Sequence, residues 1–95
     1  MRMSGQLWKN GHRMRETMIE DTTAETRTHK VIHALEEICH EFDLALPIWL
    51  DKNIRDFQRH ADCRFTQDSF VEEVNFDYLE ITIIEEDDSF RLQIR

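Results

Sequence analysis

The chain has little glycine or proline: two glycines and one proline among 95 residues. This composition argues against low-complexity disorder, and the separated Gly5 and Gly11 offer no phosphate-cradling segment for a nucleotide cofactor. No apolar run approaches the ~18 residues of a membrane-spanning helix, and no signal-peptide pattern is present. We therefore expect one cytoplasmic domain over residues 1–95, with no cofactor and no membrane partner.

Cysteine is also scarce, with Cys39 and Cys63 as the pair. Two cysteines without an export signal are typical of a reducing compartment. Cys39 adjoins His40, but neighbours on a helix point about 100° apart and do not form a nucleophile–base pair. Cys63 is better spaced from His60, yet no glycine segment for an oxyanion hole accompanies it. The sequence predicts that the protein is not an enzyme.

Acidic residues outnumber basic ones by 20 to 12, giving a net charge of −8. This balance argues against direct nucleic-acid binding, which depends on attraction to phosphate. It is compatible with a partner that has a basic surface. One alternative function is therefore an acidic inhibitor or nucleic-acid mimic that uses a C-terminal acidic group: Glu72, Glu73, Asp77, Glu80, Glu85, Glu86, Asp87 and Asp88.

The longest run with helical periodicity spans residues 26–44. Its apolar residues recur at three- and four-residue steps and predict one buried face: Val31, Ile32, Leu35, Ile38, Cys39 and Phe42. A roughly opposite face carries His29, His33, Glu36 and His40. The helix start is ambiguous among Thr22, Thr26 and Thr28, and its end is expected by Asp43.

Residues 1–20 predict a β-hairpin, because Asn10-Gly11 suits a type I′ turn. With those two as the loop, Trp8 faces Arg13, which predicts a cation–π pair on the outer face. The same register predicts a core face of Met3, Leu7, Met14 and Met18.

The rest of the sequence, after residue 44, predicts further short elements. An apolar connector with a partly buried Trp49 precedes a second helix from Asp51 to about His60. A short extended piece and a helical turn follow, and then a strand over residues 78–85, with alternating Phe90, Leu92 and Ile94 completing a second hairpin. The predicted fold is α+β, in the order β-β-α-α-β-β. Two terminal hairpins form one mostly antiparallel sheet covered by one long and one short helix.

The strings THKVIHALEEICHEFDL, PIWLDKNIRDF and FTQDSFVEEVNFDYLEI, within residues 25–86, carry a resemblance. The chain resembles a group of short uncharacterised proteins of Gram-positive anaerobic bacteria. That group has no assigned activity. The resemblance implies a bacterial cytoplasmic origin and a compact fold, and it assigns no functional residue.

The first helix also offers candidate metal ligands in His33, Glu37 and His40. Imidazole and carboxylate groups four residues apart share one helix face and can reach one zinc-sized ion. A complete site needs a further ligand, for which His60 and Cys63 are candidates. No HExxH or paired-cysteine pattern supports the site.

The leading functional hypothesis is a non-enzymatic protein that acts by protein–protein contact, as a homodimer joined along an exposed sheet edge. The acidic inhibitor and the metal-binding domain are the alternatives.

Overall fold

A computed structural model of the protein describes residues 1–87, which form a four-stranded antiparallel sheet with helices packed on one face. The elements are β1 (Arg2–Lys9), β2 (His12–Glu20), α1 (Arg27–Glu41), α2 (Asp51–His60), β3 (Asp62–Phe65), a 3₁₀ turn (Gln67–Ser69) and β4 (Tyr78–Glu85). Across the sheet the order is β2-β1-β4-β3. Within residues 1–87, neither helix has the length and apolarity needed to span a bilayer.

The α+β class is confirmed, but the strand pairing differs from two terminal hairpins. β4 lies between β1 and β3 and runs antiparallel to both. β3 was expected as a short extended piece, and it pairs with β4 at the edge of the sheet. The predicted strand of Phe90, Leu92 and Ile94 lies outside the described residues. Pairing between segments distant in sequence depends on packing, which local periodicity does not encode.

The predicted turn of the N-terminal hairpin is confirmed. Asn10 and Gly11 both have positive φ, 53° and 76°, as a type I′ turn requires. Lys9 lies opposite His12 and Trp8 opposite Arg13, as predicted.

The predicted core face of the hairpin is wrong for β2. A β-bulge between Leu7 and Trp8 shifts the register, so that Leu7 lies opposite Arg15. A one-residue shift turns every later side chain to the other face. Met14 and Met18 are consequently 58% and 42% exposed, and Ile19 packs against the core in their place.

The two faces of α1 are as predicted with one exception: Ile32, expected on the buried face, is 41% exposed. Leu35 and Ile38 are buried at 3% and 0% exposure, whereas His33 and His40 are exposed. Thr26 is the N-cap, and its hydroxyl accepts the backbone N–H of His29. The helix ends at Glu41, within the predicted limit.

Helix α1 packs closely against β1 at Gly5. A Cβ atom on Gly5 would lie 2.6 Å from Cγ2 of Ile38 and 2.8 Å from its Cδ1. The absence of a side chain at this position lets the helix seat directly on the strand.

Helix α2 and the connector before it close the core over β3. Trp49 is half-buried, as predicted, and makes edge-to-face contacts with Phe57 at 5.6 Å and Phe65 at 5.0 Å between ring centroids. Phe57 and Phe65 are themselves buried.

A charged cluster joins the first residue to the end of the described chain. The α-ammonium of Met1 donates to Oδ1 of Asp87 at 2.9 Å, and Nζ of Lys30 donates to both Asp87 oxygens at 3.1 Å. The Lys30 side chain is 4% exposed, and its ion pair with this carboxylate offsets the cost of burying the ammonium group. The next pair along, Arg27 with Glu86, is a bidentate ion pair.

Candidate functional site

The predicted metal ligands His33, Glu37 and His40 are exposed on α1. Glu37 and His40 line a shallow hollow with Ile19, while the His33 ring stacks on His29 at 6.5 Å between centroids. No group of three or more His, Cys, Asp or Glu side chains in residues 1–87 is placed to hold a metal ion. The geometry thus gives the metal prediction no support, and it stays a prediction.

The proposed further ligands lie elsewhere. His60 and Cys63 line a different hollow, together with Asp62 and Glu80. Cys63 is 1% exposed, and burial together with the nearby carboxylates raises the pKa of its thiol to about 12. The thiolate needed for nucleophilic attack is therefore strongly disfavoured.

Several members of the predicted acidic group have partners within the fold. Asp77 accepts the backbone N–H of Asn10, and the remaining contacts are the ion pairs Glu80–Arg64, Glu86–Arg27 and Asp87–Lys30. Asp88 lies outside the described residues. These internal contacts reduce the negative charge that the group can present to a basic partner.

The sheet face opposite the helices carries stacked and paired side chains. Trp8 stacks on Tyr78 at 6.2 Å between ring centroids, and the guanidinium of Arg64 lies 4.5 Å from the Tyr78 centroid. Arg13 forms an ion pair with Glu16. The aromatic rings on this face therefore already have partners in the fold.

The edge of the sheet at β3 is capped by α2 at the Arg64 carbonyl. Ala61 accepts the N–H of Ile83, and alternation along the antiparallel pair then directs the Arg64 carbonyl away from β4. The Asn53 side chain donates to that carbonyl at 2.8 Å. Asn53 is 1% exposed and also accepts from the Leu50 N–H, so it joins the edge firmly to the helix.

At the other edge of the sheet, no strand within residues 1–87 pairs with the outer side of β2. Met1 and Asp21 exchange both backbone hydrogen bonds, which makes them a hydrogen-bonded antiparallel pair. Alternation from that pair directs the N–H and C=O groups of Ile19, Thr17 and Arg15 towards β1. The intervening residues direct theirs outwards. We call this outward row the β2 edge: Glu16, Met18 and Glu20.

Within residues 1–87, β2 has a strand on one side only. The sequence predicted that an edge strand would be exposed, and the Asn-Gly turn correctly located β2. The sequence did not indicate which edge of the sheet would be capped, because the capping depends on a hydrogen bond from Asn53 to a carbonyl group 11 residues away.

Comparison with protein-family models, with curated proteins and with solved structures gives no match. The resemblance to short proteins of Gram-positive anaerobes therefore stays a prediction.

Proposed function

We propose that this chain is a protein–protein contact module that binds a partner by adding a strand to the β2 edge. The observation that carries the proposal is the contrast between the two edges of the sheet: Asn53 of α2 caps the outward Arg64 carbonyl at β3, whereas the β2 edge has no strand beside it in residues 1–87. An unpaired row of backbone N–H and C=O groups is a template for another strand.

The chemistry of β2 makes such binding selective. Main-chain hydrogen bonds along the β2 edge supply affinity, and the exposed Met14 and Met18 supply apolar contact. Arg13, Arg15 and Glu16 place charges on the same strand. Charged side chains discourage indiscriminate pairing of edge strands, so β2 should accept strands whose side chains complement this pattern. The proposal assigns no catalytic residue.

The test compares two substitutions at one position. Met18→Pro removes an outward N–H and leaves the hydrogen bonds to β1 in place, since proline is tolerated at a strand edge. Met18→Ala removes the same side chain and keeps the N–H. Peptides selected from a displayed random library against the wild-type protein are then measured for affinity to all three proteins.

We expect the selected peptides to bind Met18→Pro at least ~10-fold more weakly than Met18→Ala, a loss of about 1.4 kcal/mol, because both variants lack the methionine side chain and only the proline also lacks the outward N–H. Thermal melting and far-UV circular dichroism verify that Met18→Pro is folded. Peptides that bind Met18→Pro as well as Met18→Ala would contradict strand addition, and so would the absence of any selected peptide.

A further inference from the structure

We infer that the partner which fits the β2 edge is a second copy of this chain, paired antiparallel about a two-fold axis that passes beside Thr17. This inference rests on the proposed function, and it specifies the partner and the register of the same surface. The direction of the backbone groups and the order of charges along β2 support this partner and register.

Symmetry first restricts the registers. A two-fold axis perpendicular to the sheet places one residue of β2 opposite the same residue of the second copy, with its neighbours paired in reverse order. Residues that face each other across an antiparallel pair have their side chains on the same side of the sheet. The two sheets then become continuous, with the helices of both copies on one face.

The charges on β2 then select among the axis positions. An axis at Glu16 places two carboxylates opposite each other, an axis at Met18 places Glu16 opposite Glu20 twice, and an axis at Arg15 opposes two guanidinium groups. Like charges directly opposite one another are destabilising by roughly 0.2–1 kcal/mol per pair. An axis at Ile19 avoids these like-charge pairs but leaves most of β2 without a partner residue in the second copy.

An axis at Thr17 avoids every like-charge pair between the two β2 strands and keeps most of β2 paired. Glu16 then lies opposite Met18 of the second copy, and Arg15 lies opposite Ile19. Glu16 and Met18 both belong to the β2 edge, so their backbone groups point at each other and exchange hydrogen bonds. Thr17 lies opposite its own copy as a non-hydrogen-bonded pair, in which Cα atoms are about 4.5 Å apart.

The net charge of −8 on each copy opposes the association. Raising the ionic strength from ~10 mM to ~150 mM shortens the Debye length from about 30 Å to about 8 Å and weakens this repulsion. A contact through one strand also belongs to the small, weak class of interfaces. The dimer should therefore be reversible, and it should strengthen as salt is added.

Cysteine cross-linking tests both the partner and the register. Thr17→Cys places two thiols across the axis at a Cα separation within the disulfide range of about 4.4–6.8 Å. Glu16→Cys and Met18→Cys place each thiol one residue from the axis, where the matching thiols are roughly 7–8 Å apart on the diagonal. The native Cys39 and Cys63 are free and buried, so the wild-type protein is the background control.

Under mild oxidation at ~150 mM salt, we expect Thr17→Cys to form a disulfide-linked dimer at least ~10-fold faster than Glu16→Cys or Met18→Cys. Adding Met18→Pro to Thr17→Cys should abolish this advantage. The comparison between Thr17→Cys and Glu16→Cys is stringent, because Glu16→Cys itself removes the carboxylate repulsion that disfavours an axis at Glu16.

Faster cross-linking of Glu16→Cys or Met18→Cys would overturn the register. Equal, background-level cross-linking of all variants, with a monomer mass in sedimentation equilibrium at every concentration, would overturn the second copy as partner. Selected peptides that discriminate Met18→Pro from Met18→Ala would still support strand addition in that case, so the two proposals fail separately.

Discussion

Replacing Gly5 with alanine tests how α1 seats on the sheet. The new methyl group would lie 2.6 Å from Cγ2, 2.8 Å from Cδ1 and 3.0 Å from Cγ1 of Ile38, a side chain with no exposed surface. Overpacking of this kind costs about 1–3 kcal/mol, and the lower backbone entropy of alanine in a strand offsets roughly 0.5–1 kcal/mol. We expect Gly5→Ala to lower the free energy of unfolding by about 1–2 kcal/mol.

A double-mutant cycle isolates this contact. Ile38→Ala removes all three atoms that the new methyl group would meet, and by itself it costs about 2–5 kcal/mol through the cavity it leaves. In that background Gly5→Ala fills part of the cavity and should be neutral or stabilising. The resulting coupling energy is about 1–3 kcal/mol.

Urea denaturation followed by circular dichroism gives the four free energies, provided that the slopes with denaturant agree. Gly11→Ala is the matched control. Its φ of +76° strains an alanine, while no atom lies within 4 Å of the added Cβ. It should cost about 1–2 kcal/mol equally in both backgrounds. If Gly5→Ala cost the same with Ile38 as with alanine at that position, the close approach of α1 would be refuted.

Two further predictions concern buried charge and buried thiols. Hydrogen bonds from the Met1 α-ammonium and from Lys30 hold the pKa of Asp87 below its usual range. The ionised carboxylate therefore stabilises the fold at pH values above the usual aspartate pKa of ~3.9. This stabilisation is lost as the pH falls towards the pKa of Asp87 in the folded protein. Asp87→Asn should therefore lower the free energy of unfolding by about 1–3 kcal/mol at pH 7. In thermal or urea melts, the difference in stability between this variant and wild type should disappear in strong acid. A difference that did not change with pH would contradict the ion cluster. Burial raises the pKa of Cys39 to about 11 and that of Cys63, with a contribution from nearby carboxylates, to about 12. At pH 8 both thiols should react with iodoacetamide more than ~100-fold slower in the folded protein than in urea, as measured by mass spectrometry. Rapid labelling of the folded protein would contradict this prediction, because it would show that the thiols are accessible.

The amino-acid sequence determined the elements whose signals are local. Asn10-Gly11 located the first hairpin, because few residue pairs accept positive φ twice in succession. The apolar periodicity of α1 identified its buried face, including Leu35 and Ile38, since a helix displays every third or fourth residue on one side. The bounds of β4 followed in the same way from its β-branched alternation.

Only the tertiary structure decided the features that depend on contacts between distant residues. The bulge beside Leu7 moved Met14 and Met18 out of the core, and nothing in the alternating pattern marked the shift. The position of β4 between β1 and β3, and the capping of the Arg64 carbonyl by Asn53, likewise depend on packing. Among residues 1–87, the outer side of β2 is left without a neighbouring strand as a result, since local propensity forms a strand but long-range pairing decides which of its sides is occupied.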